Sequence, residues 1–184
     1  GSSHEPFDVP DYHKMKQPEL NAFSYADYHL GRFITELKKL PQWKNTLVVI
    51  VPDHLGCWPQ KIDNYKLWRY EIPLVMLGGM FSEPRDVETI GGQIDIPATV
   101  LAMLGMQHDE FLYSKDLLDS EAPHFAFFTF PDAMGLIDST GYVIFDNTQK
   151  TVAASSKDKA VDDRTTKAKA YLQKLYDDLG ERNK

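Results

Sequence analysis

Two hydrophobic patterns follow one another in the first third of the chain and predict an α/β fold. From Pro18 to Leu40, apolar residues recur every three or four positions, which is the spacing of an amphipathic helix. Residues 46–51 are then almost continuously apolar, a pattern typical of a strand that is buried on both faces, as in a parallel sheet. Pro52 cannot donate a hydrogen bond to a sheet, so we expect the strand to stop there. A helix followed directly by a buried strand is half of an α/β crossover.

The pattern changes after residue 108 and divides the chain into two parts, 1–108 and 109–184. The first part continues with a second apolar run, 72–77, and a predicted helix, 95–104, which Asp95 can cap. The second part carries short aromatic and β-branched runs separated by turn residues, which predict an antiparallel meander and, packed on the same core, a final amphipathic helix. The meander runs span 124–130, 134–138, 142–146 and 150–154, and the helix spans about 161–179.

Asp53 and His54 come directly after the predicted end of the buried strand. In open α/β sheets, ligands bind just outside the carboxyl ends of the strands. A carboxylate oxygen and an imidazole nitrogen are common ligands of divalent metals. The alternative is that Asp53 only caps a turn and His54 is an ordinary surface histidine. Because the strand, the proline and the pair coincide, the sequence favours a metal site.

Composition excludes several classes of protein. The chain has 184 residues and a net charge of −7, which argues against a nucleic-acid binder, since such proteins normally carry a basic surface. A single cysteine, Cys57, excludes an internal disulfide and a cysteine-rich zinc site. The apolar runs are far shorter than the ~20 residues of a membrane helix. We therefore expect a globular domain with no membrane span of its own.

The search for further catalytic residues finds one weak candidate and no nucleophile. His4 precedes Glu5-Pro6, and its imidazole could donate to a phosphate or sulfate oxygen, although spacing alone favours a solvated histidine. Thr46 begins the strand that Asp53 follows, and ~3.3 Å per residue separates the two by about 23 Å. Thr99 lies inside a predicted helix. We expect the nucleophile to be absent from this chain.

Taken together, the motifs resemble the sulfatase group of the alkaline phosphatase superfamily. Residues 43–56, a strand followed by Asp-His-x-Gly, are similar to that group's metal-binding element. Residues 93–105 are similar to its helix with Asp, three residues, Thr, an apolar run and Leu-Gly. Residues 3–7 resemble the His-x-Pro-Phe stretch of the lipoteichoic acid synthase-like branch, and residues 113–117 with the following meander also look like that branch.

The resemblance implies a fold, a cofactor and three site residues. It implies part of an alkaline phosphatase-like sheet with flanking helices, followed by the antiparallel meander and C-terminal helix. Asp53 and His54 match the family's metal pair, and His4 matches a histidine that contacts the substrate's anionic group. The implied metal is manganese, with zinc or calcium as alternatives. The family's threonine, serine or formylglycine nucleophile lies upstream of everything present here, so we expect this chain alone to be inactive.

The implied function is that of a metal-dependent hydrolase of phosphate or sulfate esters, or a phosphoglycerol-type transferase. Its substrate would be a lipid headgroup or a glycan, and its location extracytoplasmic, with any membrane contact made by upstream segments. The alternative is a non-catalytic module of the same fold that binds a glycan or lipid headgroup. A third interpretation, an unrelated nucleotide-binding domain, is disfavoured because the chain has no phosphate-binding loop.

Overall fold

The computed structural model describes residues 17–55 and 62–183. The described residues fall into two compact units, with the division between Arg85 and Asp86. The fold is α/β, as predicted, with helices and antiparallel strands in the described parts of both units. Compactness alone does not establish a folding domain, so the predicted boundary after residue 108 stays a prediction. No helix among the described residues is long and apolar enough to cross a membrane.

The first unit contains one long helix and a two-stranded sheet. Its two strands, β1 (Leu47–Ile50) and β2 (Val75–Gly78), pair antiparallel, with Leu47 opposite Gly78 and Ile50 opposite Val75. Short 3₁₀ helices precede each strand, and the one before β1 begins at Pro41, whose ring suits the first turn of a helix. In chain order the helix and strands are α1 (Gln17–Leu37), β1 (Leu47–Ile50) and β2 (Val75–Gly78).

The predicted environment of β1 is wrong in two respects. Its only strand partner among the described residues, β2, is antiparallel, whereas the sequence indicated a parallel sheet. All four residues of β1 are half-buried, although the apolar run indicated burial on both faces. An apolar run reports that a strand avoids water. It carries no information on the direction of the neighbouring strand, which the loops and the rest of the fold decide.

The predicted bounds in the first unit also shift. Helix α1 ends at Leu37, three residues before the predicted end, and Lys39 pairs with Glu36 at 2.7 Å just beyond it. The second apolar run, predicted at 72–77, forms its strand at Val75–Gly78. Gly78 lies close against the carbonyl of Thr46, so a side chain at this position would push β2 away from the start of β1.

The second unit contains a four-stranded antiparallel meander and two helices. The strand order is β3-β4-β5-β6, so each strand pairs with its neighbours in sequence, and the predicted meander is confirmed. The C-terminal helix is also confirmed and extends to Arg182. The elements are α2 (Ile96–Met103), β3 (Phe125–Phe130), β4 (Ala133–Asp138), β5 (Gly141–Asp146), β6 (Thr151–Ser155) and α3 (Val161–Arg182).

Helix α3 covers one face of this sheet and closes the core of the unit. Leu136 of β4 and Val143 of β5 are paired in the ladder and are both buried. Ala168 of α3 is fully buried in the same cluster, since its small side chain lets the helix approach the sheet. The apolar side chains that recur along the helix every 3.6 residues therefore pack against those that alternate along the strands, and together they form one apolar layer.

A buried arginine fixes α3 to two turns of the sheet. The Arg164 guanidinium is buried and donates through Nε to Asp138 Oδ2 at 2.9 Å. Its Nη2 donates to Thr140 Oγ1 at 2.7 Å, and its Nη1 donates to Asp158 Oδ2 at 3.2 Å. Asp158 also accepts a short hydrogen bond from Ser156. A planar guanidinium with five donors can bridge several carboxylate and hydroxyl groups at once, which a lysine cannot do.

A second buried network attaches α2 to the segment 114–117. The fully buried Asp95 carboxylate accepts from the backbone N–H of Lys115 at 2.9 Å and from Lys115 Nζ at 2.7 Å, both on Oδ1. Its Oδ2 accepts from the Gly92 N–H at 2.8 Å. Asp95 was predicted to cap α2, but its side chain makes no hydrogen bond to the first turn of that helix. The side chain pairs with Lys115 and does not cap the helix, because a buried carboxylate needs a counter-charge.

Replacing Asp95 by asparagine is expected to destabilise the second unit by about 2 kcal/mol, because a charge-assisted bond to Lys115 is lost and an amide donor faces another donor. Urea unfolding followed by circular dichroism measures the effect. The control is Asp163→Asn, which removes an exposed ion pair with Lys167 and should cost less than about 0.5 kcal/mol. Equal effects of the two substitutions would contradict the structural role of Asp95.

Candidate metal centre

The chain leaves the sheet at Ile50 and presents two candidate ligands in the bend that follows. Val51 and Pro52 separate β1 from the pair. The strand, predicted over 46–51, ends at Ile50, so its ladder stops two residues before Pro52. The side chains of Asp53 and His54 are 86% and 73% exposed. Both groups are therefore accessible to a ligand from solvent.

Local hydrogen bonding orients the Asp53 carboxylate toward the imidazole. Asp53 Oδ1 accepts from the backbone N–H of His54 at 2.8 Å. The other oxygen, Oδ2, lies 3.5 Å from His54 Nε2. Asp53 thus caps the turn, as the alternative interpretation proposed. The capping hydrogen bond uses Oδ1, while Oδ2 lies beside the ring nitrogen.

The separation of these two atoms suits a shared divalent cation. Bonds of about 2.0–2.2 Å from zinc to nitrogen and oxygen, at a tetrahedral angle, place two ligand atoms roughly 3.4 Å apart. The observed separation of Asp53 Oδ2 and His54 Nε2 is 3.5 Å. A carboxylate oxygen and an imidazole nitrogen are both donor atoms that divalent cations accept. The donor set and its spacing fit a metal.

The pair alone does not complete a metal site. A zinc ion in a structural or catalytic site takes at least three protein ligands. In the ranges 17–55 and 62–183, no three histidine, cysteine, aspartate or glutamate side chains lie close enough to hold an ion together. His4, predicted to contact the substrate, lies outside the described residues. The assignments of Asp53, His54 and His4 therefore stay predictions.

Two threonines considered as nucleophiles have structural roles. Thr46 Oγ1 donates to the carbonyl of Gln42 at 2.8 Å, within the turn that leads into β1. Thr99 is buried on α2, where its Oγ1 donates to the Asp95 carbonyl at 2.8 Å and accepts from the Leu117 N–H at 2.9 Å. Both hydroxyls serve the backbone around them, and neither has a general base beside it among these contacts.

The segment 113–117, recognised in the sequence only by resemblance, has a physical role that residue spacing did not reveal. Ser114 Oγ accepts from the Ala98 N–H at 3.0 Å, which satisfies a donor in the first turn of α2. Lys115 neutralises Asp95, and its ammonium also lies 4.2 Å from the Phe125 ring centre. An Asp and a Lys twenty positions apart give no periodic signal, so pattern reasoning could not have paired them.

Comparison with known proteins gives matches to one family and one superfamily fold. The sulfatase family profile matches residues 2–106, which include the candidate pair. A sulfatase of Formosa agariphila is 29% identical over 101 residues, covering 53% of this chain and 20% of that protein. Phosphoglycerol transferase I of Xanthomonas campestris is 28% identical over 104 residues, covering 56% of this chain and 15% of that protein.

Two further matches extend the comparison. A lipoteichoic acid synthase-like protein of Bacillus subtilis is 25% identical over 118 residues, covering 55% of this chain and 19% of that protein. The crystal structure of an alkaline phosphatase superfamily protein from Vibrio parahaemolyticus matches with a TM-score of 0.66 and 24% identity, over 97% of this chain and 48% of that one. The chain thus spans 15–20% of the curated relatives, and the predicted resemblance is confirmed.

Proposed function

Because the chain belongs to the sulfatase family, we propose that it supplies two metal ligands to an enzyme that cleaves or transfers phosphate or sulfate esters. The family match covers the segment that carries Asp53 and His54. The observation that carries the proposal is the 3.5 Å approach of Asp53 Oδ2 to His54 Nε2 at the exposed end of β1. The match makes an unrelated nucleotide-binding domain untenable.

In this proposal Asp53 and His54 would hold one divalent cation, with manganese as the first expectation and zinc or calcium as alternatives. When bound, such a cation would supply a lowered pKa of a hydroxyl nucleophile and offset the negative charge of the reacting ester. The hydrogen bond from the His54 N–H holds Oδ1 of Asp53 in place, so the carboxylate is oriented before a metal arrives. His4 contacts the nonbridging oxygens of the ester. The nucleophile comes from polypeptide outside this chain.

The substrate class follows from the names of the relatives. One is called a phosphoglycerol transferase and another lipoteichoic acid synthase-like. These names favour a phosphoester in a lipid headgroup or glycan over a sulfate ester. The extracytoplasmic location that the sequence resemblance implies is part of the same proposal. The relative named only as a sulfatase keeps a sulfate ester as the second candidate.

The test uses the longest natural polypeptide that contains this chain, depleted of metal and assayed on an aryl phosphate and an aryl sulfate. We expect turnover of one ester to return with manganese and the 184-residue chain alone to be inactive. If turnover continued at the full rate in the presence of a chelator, the proposed metal dependence would be wrong. Binding of a glycerophosphate headgroup without turnover of either ester would support the non-catalytic alternative.

A further inference from the structure

Residues 62–71, which precede β2, form a segment that is closed by its own hydrogen bonds. The Arg69 guanidinium donates through Nη1 to the carbonyl of Ile62 at 3.3 Å. The Tyr70 hydroxyl donates to the carbonyl of Asn64 at 2.8 Å. Both bonds join the end of the segment to its beginning, so the residues between them are held in one conformation.

The tip of this segment, residues 64–66, carries an exposed aromatic ring between two exposed polar side chains. The ring is that of Tyr65, which is 39% exposed, and its neighbours are Asn64 and Lys66. The Asp63 carboxylate accepts from the Tyr65 N–H at 2.7 Å, and the Asp63 carbonyl accepts from the Lys66 N–H at 3.1 Å. The backbone of the tip is therefore fixed by a tight turn, and its side chains are presented to solvent without prior rearrangement.

The segment and the candidate metal pair emerge from the same end of the β1–β2 sheet. In the ladder, Ile50 at the end of β1 lies opposite Val75 at the start of β2. The chain therefore leaves β1 toward Asp53 and His54 at the same end at which it enters β2 from the 3₁₀ helix Leu67–Tyr70. Loops that extend from the end of a sheet beside a reactive site commonly carry the residues that select the ligand.

The composition of the tip suits a sugar ring that carries an anionic ester. The flat face of the Tyr65 ring can stack on the C–H face of a pyranose, because an aromatic side chain is rigid and apolar with a polar end. The Lys66 ammonium can pair with a phosphate or sulfate oxygen. The aliphatic residues of the segment, Ile62 and Leu67, are buried and half-buried, so they contribute little surface for an acyl chain.

We propose that Tyr65 and Lys66 form a subsite for a sugar unit next to the reacting ester, which makes an anionic glycan the substrate and not a lipid headgroup. The inference rests on the proposed function for the position of that ester. A contact away from the reacting atoms is equally strong in the ground state and the transition state. Its loss therefore raises KM for a glycan ester and leaves kcat unchanged.

Affinity electrophoresis of the longest natural polypeptide tests the subsite without turnover. The gels contain phosphorylated dextran, sulfated dextran or neutral dextran, and we expect retardation by an esterified dextran only. Tyr65→Ala should raise the Kd about tenfold, whereas Tyr65→Phe should change it less than about twofold, since stacking needs the ring and not the hydroxyl. Lys66→Gln, a surface substitution that keeps the fold, should raise the Kd about threefold. The control is Tyr176→Ala on α3, where a tyrosine 65% exposed should leave the Kd unchanged.

Three results would overturn the subsite. The first is an unmodified protein that no esterified dextran retards, and the second is a Tyr65→Ala variant with the same Kd as the unmodified protein. The third is tighter binding to phosphatidylglycerol vesicles than to esterified dextran, with that binding weakened by Tyr65→Ala, which would show that the tip recognises a lipid headgroup. If the expected binding changes occur but no ester is turned over, the proposed reaction fails while the binding of a sugar ester stands.

Discussion

Replacing Asp53 by asparagine is expected to reduce metal-dependent turnover of the longest natural polypeptide about 100-fold or more, since even residues that only support metal ligands cost 10–100-fold. Asparagine keeps the shape of the side chain and can still accept from the His54 N–H. It removes the negative charge and makes one of the two acceptor atoms a donor. The loss should therefore appear as a higher manganese requirement as well as a lower maximal rate.

The matched control for this substitution is Asp109→Asn. His108 and Asp109 form another adjacent histidine and aspartate, and Asp109 is also exposed. They follow α2 and not a strand end, so they should hold no catalytic metal. Turnover of Asp109→Asn should equal that of the unmodified protein. If Asp53→Asn retained the normal rate and the normal manganese dependence, Asp53 would not be a metal ligand.

Replacing Arg164 by alanine is expected to destabilise the second unit by about 3 kcal/mol, the low end for breaking a buried ion pair, because the arginine is buried while its two carboxylate partners are partly exposed. Asp138 and Asp158 both lose their guanidinium partner, and the hydrogen bond that Thr140 Oγ1 accepts from the guanidinium is also lost. Urea unfolding at neutral pH, followed by circular dichroism, measures the loss.

The control for the arginine is Lys167→Ala. Lys167 lies on the same helix and pairs with Asp163 at 2.7 Å, but both side chains are exposed. Exposed pairs contribute about 0–1 kcal/mol. A loss after Arg164→Ala no larger than that of Lys167→Ala would show that the buried network does not stabilise the unit.

Lowering the pH should reduce the difference in unfolding free energy between the Arg164→Ala variant and the unmodified protein. Burial acts to raise the pKa of the Asp138 carboxyl, but hydrogen bonds from Arg164 and Thr140 outweigh it, so this pKa lies well below its ordinary value. A depressed folded pKa contributes stability above the unfolded pKa of about 3.9, and this contribution is lost as the pH falls toward the folded value. Unfolding measured at pH 7 and pH 3 should therefore show the larger difference at pH 7.

Elements with a strong local signal could be predicted from the sequence. The four runs of the meander alternate with turn residues such as Thr140-Gly141, and each forms its strand within a residue or two of the predicted bounds. The amphipathic period of α3 likewise placed that helix correctly. These signals are local, because side-chain periodicity and turn chemistry depend on neighbours in sequence.

Contacts between distant positions could not be predicted. The pairing of β1 with β2 joins residues on either side of a long loop, and an apolar run fits an antiparallel neighbour as well as a parallel one. Asp95 illustrates the same limit. Helix-capping preferences predicted that its side chain would cap α2, but the carboxylate instead pairs with Lys115, twenty positions later. Local propensity is overridden where burial of a charge requires a partner.

The position of the candidate pair could be predicted for a specific reason. Pro52 cannot continue a strand, so the residues after it lie just beyond the strand end, which the structure places at Ile50. The structure places Asp53 and His54 there with their polar atoms 3.5 Å apart. The sequence identifies no further metal ligand and no nucleophile for the proposed site, because no other motif in residues 1–184 has the spacing that would mark one.

The most direct test of the shared cation is paramagnetic broadening by manganese in the 184-residue chain. At substoichiometric Mn²⁺, the amide signals of Asp53, His54 and Leu55 should broaden first, even if binding by two ligands is weak. The effect should vanish in Asp53→Asn and persist in Asp109→Asn. Broadening at residues 53–55 that is no stronger than at His108, or that survives Asp53→Asn, would contradict a metal held by this pair.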